Sequence, residues 1–374
     1  MTSSKCWLAL GLAASSCLFS LRAWSFPDLI RHGYVNCIQC HVSPSGGGTL
    51  TDYGRTFSGE GLSRWTTKDE ESIFEGLVKR KEIPSWLSLG GDFRGVQTLQ
   101  QNSQTTVAAY YVMQNDLEAA VKYKKLTVDG SFGRFQLTTE TPQYKSRRYF
   151  LMYNFTDEWM VRVGRFLPVY GFNIPDHIIS TRTPLGFNAG LERENVEASW
   201  ITDSYSAVLT FSQGPNELPW GAQETSVEGQ FAYAFKDTYK IGINGWEGYQ
   251  SGNTQRNLAG IFANLGFTEN LSLESEFDWQ WLTPAATGVT QLGFFAYNRL
   301  GEEITKGLNL LATAEFWQSD LSSDASAVER YGAGFEFFPR PHFDFQGFWT
   351  KIRLHSATNL GYQDSAWFMW HYYF

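Results

Sequence analysis

A chain of 374 residues with a formal charge of -8 carries no basic footprint for nucleic acid, which excludes that class of partner. Hydrophobic residues make up 43%, yet no apolar run after the N-terminus reaches the roughly 18 residues that a membrane helix needs. Aromatic residues at 16% and 35 glycines instead suit strands joined by turns.

The first 25 residues read as a secretory signal peptide: Lys5, an apolar stretch from Trp7, and small residues at Ala23 and Ser25, with cleavage expected before Phe26. A lipoprotein reading at Cys17 lacks the usual leucine three residues earlier. Cleavage removes Cys6 and Cys17, so the mature chain keeps Cys37 and Cys40 alone. These belong to Cys37-Ile38-Gln39-Cys40-His41, whose spacing predicts one covalent haem c, with thioethers at both cysteines and His41 as the proximal ligand of the iron. A disulfide or a redox Cys-x-x-Cys is the competing reading. The adjacent histidine, the export signal and the lack of a thioredoxin-like βαβ pattern favour haem. For the second axial ligand, His32, His342, His371 and Met369 all stay open, the last three as lumen-facing residues; His177, in the longest loop, ligates only if that loop folds inward.

Ser43–Thr49 (SPSGGGT) reads as a flexible loop, since it lacks the lysine of a phosphate cradle. Lys68–Lys81 has apolar residues at i, i+4 spacing with acids first and bases last, which predicts one short helix ended by Pro84. Residues 26–85 are therefore a monohaem cytochrome c-like segment. It is too small to bury a haem alone, so it is expected to lean on something larger, as a plug.

From Trp86 to Phe374 the period becomes two. In Leu271–Trp281, Leu271, Leu273, Phe277, Trp279 and Trp281 share one face, and Ser272, Glu274, Glu276, Asp278 and Gln280 the other. About sixteen strands are predicted, among them ones beginning near Arg147, near His342 and near Gln363. Tight turns such as Thr156–Glu158 and Pro339–Pro341 alternate with longer polar loops such as Phe172–Asn188. An even number of strands with short turns at one end and long loops at the other predicts an all-β, antiparallel outer-membrane barrel over residues 86–374. Reading back from Phe374, aromatic residues alternate outward (Phe374, Tyr372, Trp370, Phe368), leaving Tyr373, His371, Met369 and Trp367 inward. The acids Glu274, Glu276 and Asp278, with Asp116 and Glu118, are expected to form the solvated inner face of a wet lumen.

Gly33, Cys37, Cys40 and His41, followed by Leu50-Thr51-Asp52-Tyr53-Gly54-Arg55-Thr56-Phe57 and Gly61, resemble the head of the fused monohaem cytochrome-porins of the bacterial outer membrane, whose best-known members are iron oxidases. The resemblance implies electron transfer between an extracellular donor or acceptor, Fe(II) among the donors, and a periplasmic c-type cytochrome or other carrier. It implies either an extracellular iron oxidase or a non-enzymatic electron carrier, set in outer-membrane lipid. The chain departs from those proteins in carrying Val42–Thr49 between the haem histidine and the Leu-Thr element. A diffusion porin whose haem segment is structural or sensory is the alternative.

Overall fold

The computed structural model describes residues 28–66, 82–136, 141–172, 174, 176, 178–214, 223–355 and 362–374. The signal peptide (1–25), the helix expected over 68–81 and His177 lie outside the described residues.

Seventeen strands follow in chain order: β1 (Leu87–Gln101), β2 (Thr106–Tyr123), β3 (Leu126–Phe135), β4 (Gln143–Lys145), β5 (Tyr149–Asn154) and β6 (Trp159–Phe166). Then come β7 (Arg193–Ile201), β8 (Tyr205–Gln213), β9 (Glu224–Phe235), β10 (Tyr239–Gln250), β11 (Thr254–Gly266) and β12 (Leu271–Thr283). The last five are β13 (Gln291–Thr305), β14 (Leu308–Gln318), β15 (Ala327–Arg340), β16 (Phe343–Leu354) and β17 (Tyr362–Tyr373). Both β4 and β5 pair with β3, one along Gly133–Phe135 and the other along Leu126–Gly130. They are two halves of one strand position, so the single strand expected near Arg147 is broken at 146–148. Seventeen strands thus fill sixteen places, every neighbour is antiparallel, and β17 pairs back onto β1. The sheet is a closed barrel with no free edge, an architecture of the outer-membrane type.

Alternation explains why these sequences become barrel strands. Along β12 the polar set is buried within the barrel, and the opposite set carries the aromatic outer surface, Trp281 being 39% exposed. Near the short-turn end, outward rings from successive hairpins stack in a row, Trp159 on Trp200, Trp200 on Tyr205 and Tyr205 on Tyr233. Such a girdle marks the level of the membrane interface. One boundary departs from expectation. β15 runs through to Arg340, so the tight turn is Pro341–His342, with His342 in the left-handed region at φ 64°.

Closure rests on the C-terminal strand. Asp92–Gln101 of β1 faces Asp364–Tyr373 of β17, and Phe374 continues the ladder through bonds of 3.2 and 3.3 Å with Gly91. The Phe374 ring, 2% exposed, packs with Ile83, Leu87, Leu89, Phe93 and Tyr372. The residue that ends the chain therefore sits beneath the segment that leads into the first strand. Replacing Phe374 with alanine removes this ring from its cluster, for which a loss of about 3 kcal/mol is typical. The variant is expected to lose its heat-modifiable band on cold gels at lower urea than wild type.

Candidate functional site

Residues 28–66 lie at the short-turn end of the barrel and are tied to its inner wall at many points. Lys240 Nζ donates to the Val35 carbonyl (2.8 Å) and to Asn36 Oδ1 (3.2 Å), while Asn36 Nδ2 donates to the Thr202 carbonyl (2.8 Å). Ser58 Oγ meets the Tyr373 hydroxyl at 2.9 Å, Lys306 Nζ donates to the Glu60 carbonyl (2.7 Å), and Arg64 N donates to the Phe338 carbonyl (2.8 Å). Apolar contacts accompany these bonds. Phe57 and Leu62 form a cluster with Phe338 of β15, and Ile38 packs on Phe150, Met152, Met160 and Phe166 of the wall. The segment borrows the barrel as the other half of its core, as its small size requires.

Within the segment, Cys37–Gln39 form a 3-10 turn, and the amides of Cys40 and His41 donate to the Cys37 carbonyl at 3.2 and 3.0 Å. The chain then loops out over residues 43–48 and returns, so that His41 bridges Leu50 and Thr51 N donates to the Cys40 carbonyl at 2.9 Å. Helix α1 (Asp52–Phe57) starts there, capped by Thr51 Oγ1 accepting from Gly54 N (3.1 Å). Gly54 lies so close to the Cys40 carbonyl that any Cβ would collide with it. The Leu-Thr-Asp-Tyr-Gly-Arg element is thus the backbone partner of the Cys-x-x-Cys-His turn, and its Arg55 donates onward to the Leu89 carbonyl of β1.

Cys37, Cys40 and His41 line a cavity of about 430 Å³. Apolar side chains of Leu50, Phe57, Met113, Phe338 and Met369 share its wall with the charged Arg94, Asp116, Arg147 and Arg148. The two thiols are not joined in a disulfide. Burial pushes the Cys40 thiol up to about 11, so it is protonated at neutral pH. Burial, with the Arg148 guanidinium nearby, pulls His41 down to about 4 and keeps its imidazole neutral.

The open distal candidates separate by position. Met369 lines the cavity in a cluster with Val96 and Met113. His371 also lines it, but its Nδ1 is 3.0 Å from Asp344 Oδ2 and its Nε2 is 3.2 Å from Asp92 Oδ1, so both ring nitrogens already face carboxylates. His342 is not an inward strand residue as expected. It lies in the turn, is absent from the cavity lining, and stacks edge-on to Tyr373. His32, in the 3-10 turn Asp28–His32, does not line the cavity either.

The expected wet, solvated inner face is corrected by the long connection between β6 and β7. The alternation of turn lengths predicts an external loop over Phe172–Asn188, but the connection folds down into the lumen and covers the acids. Glu274, Glu276 and Asp278 are each 0% exposed. Tyr170 donates its hydroxyl to Asp278 Oδ1 (2.9 Å), Phe172 N and Thr181 Oγ1 donate to Glu276 Oε2 (3.2 and 3.1 Å), and Arg299 pairs with Glu274 at 3.0 Å. Farther along, Ser180 N donates to Glu315 Oε2 (2.7 Å), and Arg330 binds both Glu315 and the Ile178 carbonyl. The physical reason is charge balance: an acid row left facing a narrow space is stabilised by a loop that brings N–H and O–H donors to it. Asp116 and Glu118 are likewise paired, with Arg147 at 2.5 Å and Arg148 at 2.9 Å.

These arginines belong to no sequence motif, and their role appears only across the strand ladder. Arg162 on β6 is opposite Glu197 on β7 in the ladder and pairs with it at 2.7 Å. An inward arginine placed across a hairpin from an inward glutamate is a signal that could have been read from the alternation.

No family model and no curated protein matches the chain. Solved structures with similar folds include an anion-selective porin from Comamonas acidovorans (TM-score 0.63, 10% identity, 77% of this chain and 99% of that one). OmpT of Vibrio cholerae is another (0.60, 11%, 78% and 99%), and the outer-membrane channel DcaP of Acinetobacter baumannii a third (0.57, 11%, 77% and 97%). At these identities the likeness establishes the fold, a porin-type outer-membrane barrel.

Two outcomes follow from the site. In a haem-free Cys37→Ser/Cys40→Ser variant, the His41 imidazole is neutral when docked but takes up a proton once released. The docked state is then fully stable above about pH 6.5 and weakens as pH falls toward 4. Cleavage near Ser45 by an acid-tolerant protease should rise over that window, and the same variant with His41→Phe should lose the pH dependence. Separately, Glu276→Gln with Glu315→Gln weakens the charge-assisted bonds that hold the infolded loop, each worth about 1.5–3 kcal/mol. Single-channel conductance in planar bilayers is expected to become larger and noisier than wild type.

Proposed function

We propose that this porin-type barrel carries one covalent haem c at Cys37 and Cys40, with His41 as proximal ligand, and passes electrons between an extracellular donor or acceptor and a periplasmic carrier such as a c-type cytochrome. The observation that carries the reading is that all three residues of the motif line one cavity inside the lumen. The residues present fit the group. Two unbridged thiols stand three residues apart on one turn, the neighbouring imidazole is neutral, and the apolar wall is flanked by the Arg94, Arg147 and Arg148 guanidiniums. Bound haem c supplies one-electron redox chemistry. The barrel's own residues do the rest: Lys240, Asn36 and Ser58 seat the segment, and the infolded loop narrows the lumen from the other end. Fe(II) is one donor to try, on the strength of the motif resemblance.

The second reading is a diffusion porin whose haem segment is structural or sensory, and the porin-type fold with its porin neighbours favours it. The two differ in what crosses the membrane. Expression with a cytochrome c maturation system should give a pyridine haemochrome and a mass increase that Cys37→Ser/Cys40→Ser abolishes. In oriented proteoliposomes, reduction of that haem by Fe(II) or another membrane-impermeant donor outside, together with low conductance, supports electron transfer. High conductance with a haem that such donors never reach leaves the porin reading.

A further inference from the structure

The mouth of the barrel at the short-turn end is divided by charge. Three successive turns, at 156–158, 202–204 and 236–238, expose Asp157, Glu158, Asp203 and Asp237 against one base, Lys236. The half-buried Glu269 in the next turn adds a further acid. The other hairpin turns carry bases: Lys306 follows β13, Arg340 ends β15, and Lys124 and Lys125 join β2 to β3. Arg64 adds to that side, against Glu60 and Glu82. The Cys-x-x-Cys-His turn is seated on the acidic side. Asn36 bonds to the Thr202 carbonyl of the second acidic turn, Lys240 beside the third holds Val35 and Asn36, and Ile38 packs on β5 and β6.

Beside these turns the segment leaves one face open. Gln39, Asp52 and Tyr53, the last 50% exposed, lie outside the cavity lining and so face the periplasm. Tyr34 is the link inward. It lines the cavity with Cys37 and Cys40, its hydroxyl bonds to that of Tyr53, and both tyrosines pack on the Phe57 ring, with centroids 4.9 and 6.2 Å away. A molecule resting on Tyr53 is therefore one layer of rings from the cavity, and electron transfer falls off steeply with distance. An exposed tyrosine inside a polar rim is also the make-up of a contact patch. We propose that Gln39, Asp52 and Tyr53, framed by the acidic turns, form the docking surface for a periplasmic redox protein whose contact face is ringed by lysines. The acidic turns attract such a face and the basic turns repel it, so the partner is steered to the half of the mouth that holds the motif. The inference rests on the haem reading above and extends it by giving the place and the charge of the partner's contact.

Mitochondrial cytochrome c, a lysine-rich haem protein, serves as the probe, native and with its lysines succinylated, on the haem-loaded full chain in nanodiscs. Surface plasmon resonance at low ionic strength should show binding of the native probe, abolished by succinylation and weakened as salt rises. Asp157→Asn/Asp203→Asn/Asp237→Asn neutralises three turns while keeping a residue type that tolerates the left-handed backbone of Asp237 (φ 59°). It is expected to slow association by about tenfold, with haem content and the heat-modifiable band unchanged. Tyr53→Arg, which sets a like charge at the centre of the patch, should slow it as well. Lys124→Asn/Lys125→Asn, on the basic side of the mouth, should not. Failure of the native probe to bind, or an unchanged rate in the triple variant, overturns the docking surface while the haem reading stands, as does equal slowing in Lys124→Asn/Lys125→Asn. Absence of covalent haem from the wild-type protein overturns both.

Discussion

Charge in a closed lumen governs this structure. Alternation in a barrel sends every second side chain inward, and here the inward set is rich in carboxylates and guanidiniums. Taking such groups out of water costs several kcal/mol each unless they are paired and hydrogen-bonded. The pairs Arg162–Glu197, Arg256–Glu224, Arg330–Glu315 and Arg299–Glu274 meet that demand on successive parts of the wall. Where strands alone do not balance the charge, irregular chain does so, the β6–β7 connection from one end and residues 28–66 from the other. Both fillings are therefore consequences of the same requirement, and neither is an ornament added to a finished barrel.

This requirement separates what could be read in the sequence from what could not. The barrel was legible because its signals are local: period-two alternation, turn residues, and a final strand whose outward aromatics end on Phe374. The broken strand at 146–148 was not, since it depends on Arg147 and Arg148 reaching across to Asp116 and Glu118 on β2. The burial of the acid row was missed for a related reason. Glu276 and Asp278 look solvated from their own strand, and only the loop about a hundred residues earlier in the chain, with Tyr170 and Thr181, makes them buried. His342 was misplaced because Pro339 suggested an earlier turn, whereas the ladder continues to Arg340 opposite Phe343.

The candidate site shows the same division. Cys37, Cys40 and His41 were visible from spacing, and the structure brings all three to one cavity. Gly54 was visible only as part of a motif, and its reason is steric: the helix it belongs to lies on the Cys40 carbonyl with no room for a side chain. The distal side stayed open in the sequence because the four candidates come from distant parts of the chain. Pairing of His371 with Asp92 and Asp344 and the turn position of His342 leave Met369 as the candidate that faces the cavity without a carboxylate on it.

The Val42–Thr49 stretch changes meaning once it is seen against the wall. Read as sequence, three glycines between serines and a threonine suggest a flexible linker, and the stretch marked a departure from the iron oxidases that the motif resembles. In the fold, Gly46, Gly47 and Gly48 all adopt positive φ, in a loop whose Ser43 and Ser45 are buried and bound. Glycine is needed there because the backbone turns left-handed and passes against Arg148 and Cys37 without space for a Cβ. A stretch so tightly held adds contacts between barrel and motif. The stretch therefore acts on how the Cys-x-x-Cys-His turn is seated against the wall.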